Sequence, residues 1–162
     1  MFNATKIKRR LKYSYIAAFA GFLFGFDTIV ISGVDQKLQE LWNSTDLFHG
    51  LVVVGMALWG TVIGAIFGGL PTSYFGRKKT LLYIGYLYSI SAIGSAICSD
   101  PVTFAFFRFI GGVGIGISTI AAPAYISEIS ASNERGKLVG YYQLNIVVGI
   151  LFAFVSNFFL KE

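Results

Sequence analysis

Asp27 and Arg108 are full charges set inside long apolar runs of this sequence. A carboxylate in such a place can bind a proton, pair with a cation or line a water-filled cavity. A guanidinium stays charged at any useful pH and carries donors only. If the two residues meet, the carboxylate is the partner able to switch. Either charge near the middle of a membrane helix costs roughly 2.5–3.5 kcal/mol on insertion scales. Each therefore needs a partner or a use. Three further charges stand at short turns: Arg77, Glu128 and Arg135. Glu128 is acidic among basic neighbours, which calls for a partner such as Arg77 or Arg135.

Other chemistries find no support. The single cysteine, Cys98, and the lone histidine, His49, make neither a disulfide nor a metal site. Both are read most simply as loop or helix-end residues. No nucleophile–base pair and no metal-ligand spacing occurs, so the expectation is no enzyme, no metal and no cofactor. The run Gly111–Gly116 (GGVGIG) departs from GxGxxG and lies within an apolar block rather than after a strand. The net charge of +5 is not a nucleic-acid signature, because the charges fall in clusters between apolar blocks.

The elements that must carry these charges are membrane helices. The 162 residues are 55% hydrophobic and only 13% charged. Five blocks approach or exceed the ~18 residues that mark a spanning helix: Tyr13–Val34, Leu51–Leu70, Thr80–Cys98, Val102–Ile126 and Leu138–Leu160. The expected fold is an all-α polytopic membrane protein. The first block is too long for a secretory signal and ends at no small-x-small cleavage site. Lys6, Lys8, Arg9, Arg10 and Lys12 precede the first block; Arg77–Lys79 follow the second; Arg135 and Lys137 follow the fourth. The opposite loops hold Asp35, Glu40, Asp46 and Asp100 with Lys37 as their basic residue. The positive-inside rule then makes residues 1–12 a cytoplasmic N-terminus and leaves Lys161–Glu162 outside. Asn43-Ser44-Thr45 fits a glycosylation acceptor on the outer side and is read as chance.

Glycines at four-residue spacing (Gly21 and Gly25; Gly60, Gly64 and Gly68; Gly112 and Gly116) put small residues on one face of each helix, where backbones can approach. Asp27 lies seven residues from the outer end of its block and Arg108 six from the outer end of its own. At ~1.5 Å per residue both sit about 9–10 Å below the outer surface. A static salt bridge and a carboxylate that alternates between Arg108 and a proton both satisfy this placement. The static pair is the weaker account, since a buried ion pair seldom stabilises more than apolar packing does.

In order, GFLFGFDTIVISG, FGRKK, RFIGGVGIG and PAYISEISASNERGKLVGYYQL resemble the sugar porter branch of the major facilitator superfamily, bacterial proton–xylose and proton–arabinose symporters included. The resemblance runs from about Tyr15 to Phe159. It implies twelve spans in two halves, each a pair of inverted three-helix repeats. This chain then corresponds to a partial N-terminal half (13–160), without the sixth span and the C-terminal half. The implied function is proton-coupled monosaccharide symport by alternating access in a cell membrane. The alternatives are a non-transporting membrane fragment or interaction module, and a facilitative carrier.

The resemblance also implies roles. Asp27 matches the proton-coupling carboxylate and Arg108 its partner; facilitative carriers tend to have Asn at the Asp27 position. Phe24 matches an aromatic packed on the sugar ring, and Gln143 a glutamine that hydrogen-bonds sugar hydroxyls. Arg77, Glu128 and Arg135 match a cytoplasmic charge network. Ser73-Tyr74 replace the usual Asp-Arg before that network's x-Gly-Arg, Ala131 replaces a usual Pro, and Ile150 stands where some members place a second sugar-binding Gln.

Overall fold

The computed structural model describes residues 2–159, with side chains from Leu11 onward. The side chains of Lys6, Lys8, Arg9 and Arg10, and the expected outer end Leu160–Glu162, lie outside the described residues. Helix α1 (Phe2–Val30) passes through one 3-10 turn into the short α2 (Asp35–Leu41). Helix α3 (Asp46–Phe67) is followed by the short α4 (Gly69–Tyr74). Then come α5 (Arg77–Ile97), α6 (Pro101–Ile129) and α7 (Arg135–Phe159). The five long elements each carry an apolar stretch long enough to cross a membrane.

Boundaries differ from the sequence expectation where a polar residue can be helical. The second span begins at Asp46 rather than Leu51, because Asp-Leu-Phe-His adds a turn after the extended Thr45. That segment includes a π turn at His49–Val54. The span ends at Phe67 rather than Leu70. Pro71 has no N–H for the Phe67 carbonyl and its ring crowds that position, so the helix breaks and restarts. The third span starts at Arg77, after Gly76, whose φ of 80° is open to glycine and costly for other residues. Helix α6 starts at Pro101, with Asp100 accepting the Thr103 N–H at 2.7 Å. An acidic N-cap before a first-turn proline is a sequence-encoded helix start. The Thr103 N–H holds the exposed Asp100 carboxyl below the usual carboxylate range.

The helices pair at glycine. A methyl on Gly116 would overlap the Thr61 carbonyl, and one on Gly112 the Ala57 carbonyl, so α3 and α6 touch backbone to backbone. Gly25 lies against the Ile146 carbonyl in the same way, joining α1 to α7. Without a hydrophobic force between helices in lipid, such close approach supplies the packing. Large apolar side chains instead face outward: Leu58, Ile66, Ile93 and Phe158 are all more than half exposed. In a bilayer that surface is solvated by lipid.

Candidate functional site: a buried ion pair

Asp27 sits near the C-terminal end of α1 and Arg108 two turns into α6. Their elements run in opposite directions relative to the termini, so equal depth follows from counting along each. Arg108 Nη1 donates to Asp27 Oδ1 at 2.6 Å, and Nη2 donates to the Asp27 backbone carbonyl at 3.1 Å. The Arg108 side chain is 8% exposed and that of Asp27 24%. The pair is incomplete. Asp27 Oδ2 and Arg108 Nε are both buried without a hydrogen-bond partner. A bidentate carboxylate–guanidinium fork would have used both carboxylate oxygens. Here one oxygen is held and the other is left over.

Phe24 lies one turn below Asp27 on the same side of α1, half-buried, its carbonyl accepting from the Thr28 hydroxyl at 2.8 Å. Gln143 is exposed on α7. The structure records no contact between these two, so it places both without assembling them. At the other end of α6 Arg77 Nη2 pairs with Glu128 Oε1 at 2.8 Å. Of the two partners considered for Glu128, this is the one present. Arg135 opens α7 as an exposed residue and forms no ion pair among the described residues.

Sequence reasoning missed His49. Read as a loop or helix-end residue, it stands in the first turn of α3 and is 3% exposed. Its Nε2 lies 2.8 Å from Asp35 Oδ1 and its Nδ1 3.0 Å from the Ser44 hydroxyl. With the carboxylate accepting at Nε2, that nitrogen carries the hydrogen. Trp42 Nε1 donates to the Ser99 carbonyl at 3.1 Å, tying the turn after α2 to the α5–α6 loop. The signal was a polar segment rich in turn formers, which reads as solvated unless its fold is known. Ser44, inside the acceptor triplet, is thereby engaged by His49, and Asn43 holds a left-handed φ of 44°.

A sequence profile described as "Sugar (and other) transporter" matches residues 13–162. The chain belongs to that family. It is 40% identical over 158 residues to the glucose transport protein of Synechocystis, covering 98% of this chain and 34% of that protein. It is 37% identical over 144 residues to the arabinose-proton symporter of Escherichia coli K12, covering 89% and 30% respectively. The chain thus spans about a third of the length of these relatives. Among solved structures, the proton:xylose symporter XylE bound to 6-bromo-6-deoxy-D-glucose superposes with a TM-score of 0.83 at 31% identity, over 94% of this chain and 38% of that one. The inward-open form of XylE from E. coli gives 0.83 at 32% identity over 93% and 40%. The chain is a multi-pass membrane protein with the major facilitator arrangement.

Proposed function

We propose that this chain forms the N-terminal portion of a monosaccharide transporter coupled to protons. Its partner would be the second half of such a transporter, with the substrate between the halves and the N-terminus cytoplasmic in a cell membrane. Relatives named as arabinose-proton and xylose-proton symporters support the sugar and the proton. The observation that carries the reading is the half-used Asp27: one oxygen on Arg108, the other buried and free to take a proton. Protonation removes the charge that Arg108 attracts, so proton binding and opening of the pair are one event. Phe24 would cover the C–H face of the sugar, and Gln143 would offer donor and acceptor together to its hydroxyls. Arg77 and Glu128, with Arg135 nearby, would latch the cytoplasmic side in one state. Each half-exposed pair is cheap to break, as a latch must be.

Asp27→Asn in the transporter containing this segment keeps size and hydrogen bonding but removes titration. Sugar exchange down its gradient should survive, while accumulation driven by a proton gradient falls at least tenfold. Retained accumulation would instead leave Asp27–Arg108 as a structural pair.

A further inference from the structure

The segment between α1 and α3 is held by side chains that the transport reading does not use. Asp35 and Gln39 stand four residues apart on one face of α2, and Asp46 and His49 three apart in the first turn of α3. The two faces are joined pairwise: His49 Nε2 to Asp35 Oδ1 at 2.8 Å, and Gln39 Nε2 to Asp46 Oδ1 at 2.6 Å. Of these four residues only His49 is buried. It also opens the π turn of α3, against which α6 packs. Trp42, at the end of α2, adds its bond to the Ser99 carbonyl and a ring contact with Phe104 of α6 at 5.4 Å. Residues 35–45 thus form a strap from the end of α1 across the starts of α3 and α6.

An imidazole buried between a carboxylate and a hydroxyl can exist in two charge states. The neutral ring donates from Nε2 to Asp35 and accepts the Ser44 hydroxyl at Nδ1. A protonated ring carries two donors and needs two acceptors. Both are in place. Asp35 keeps the Nε2 hydrogen, and the Ser44 oxygen, 3.0 Å from Nδ1, accepts once its own hydrogen turns away. The ring can take a proton with no heavy atom displaced, and its bond to Asp35 then gains the attraction of a second full charge. A buried charge that is paired and bonded at each donor escapes most of the burial penalty. We propose that Asp35, His49 and Ser44 form a proton-operated clasp, which fastens the strap to α3 when the imidazole is protonated and slackens it when the imidazole is neutral. The charged and titratable groups around it are Asp35, Lys37 and Glu40 on α2, Asp46 in α3, Asp100 at the start of α6, Arg108 two turns in, and the Cys98 thiol. Among these and the ring, only the imidazole ordinarily changes charge between about pH 5.5 and pH 8. Asp27 takes no part in the clasp, so the proton-coupling reading and this one fail separately.

His49 is the sole histidine of the chain, so ring nitrogen NMR signals of the full chain in nanodiscs report this site alone. They should show one neutral tautomer, with the hydrogen on Nε2, at high pH and a doubly protonated ring at low pH. Hydrogen exchange at the Ser44 and His49 amides, bonded to the Gln39 and Thr45 carbonyls at 3.2 and 2.9 Å, reads the strap. Corrected for intrinsic exchange, their opening constant should fall about tenfold on going from about pH 8 to about pH 5.5, in step with ring protonation. His49→Gln keeps a donor for Asp35 and removes the titration, so its opening constant should not respond to pH. Asp35→Asn leaves the protonated ring buried without its counter-charge, so acidification should open the strap rather than close it. Unchanged far-UV helicity separates these effects from misfolding. A wild-type opening constant that stays level or rises on acidification overturns the clasp, as does a fall of the same size in His49→Gln or Asp35→Asn.

Discussion

Two ion pairs of similar length sit at different depths and mean different things. Asp27–Arg108 spans 2.6 Å with side chains 24% and 8% exposed; Arg77–Glu128 spans 2.8 Å with 40% and 49% exposed. Distance alone ranks them as near equals. Surroundings separate them. Water screens the exposed Arg77–Glu128 pair, and measured pairs of that kind contribute about 0–1 kcal/mol. The deeper pair has lost that screening, so its members depend on each other. Removing one leaves an uncompensated charge, whereas removing both leaves only packing to repair. The lesson is that a buried pair reports its environment's tolerance for change of charge, and an exposed pair reports little beyond geometry.

The comparison can be broken most forcefully at Arg108. Arg108→Leu strands Asp27 and should destabilise the chain in detergent by about 3–5 kcal/mol in denaturant titration at neutral pH. Adding Asp27→Leu should recover most of that loss. No recovery would mean that the two side chains act independently, and the contrast between the pairs collapses. Glu128→Gln is the matching change at the surface. Its effect should stay below about 1 kcal/mol and shrink further when NaCl is raised from 0.05 to roughly 0.5 M. The Arg108→Leu loss should hardly respond to that salt change. The smallest effect belongs to Asp100, a lone exposed carboxylate at the start of α6. Its carboxyl is held below the usual range by the Thr103 N–H. A lowered folded-state value means its stabilisation is present above the ordinary carboxylate range and fades as the pH drops through the lowered value. Asp100→Asn should therefore differ from wild type in thermal stability slightly at neutral pH and not at all in strong acid.

Much of this was legible before the structure, for definite physical reasons. Length and hydropathy mark spanning helices because lipid leaves few other folds for the backbone. Equal counts from the outer ends placed Asp27 and Arg108 level, since the helical rise is fixed. Helix ends were less legible: charged residues such as Arg77 and Asp46 continue a helix beyond the hydrocarbon, and hydropathy does not see them. Pro71 carried the break after Phe67 in plain view, yet an apolar run through Leu70 hid it. His49 and Asp35 are far enough apart in sequence that only a folded outer turn joins them. The burial of Ser118 and Tyr142 left no trace, because hydroxyl-bearing residues sit inside apolar runs without interrupting them. The roles of Phe24 and Gln143 come from resemblance alone.

Helix α6 has 29 residues and its neighbour α5 has 21. At ~1.5 Å per residue these are about 43 and 31 Å long, against a hydrocarbon core of about 30 Å. Two packed helices of such unequal length cannot both match one membrane. The shorter fits; the longer must lean or overshoot, and Glu128 stands in its last turn. Bilayer thickness thus becomes a control over the Arg77–Glu128 pair. A thicker membrane draws Glu128 toward hydrocarbon, where the loss of Arg77 would be felt more, and a thinner one leaves it in water.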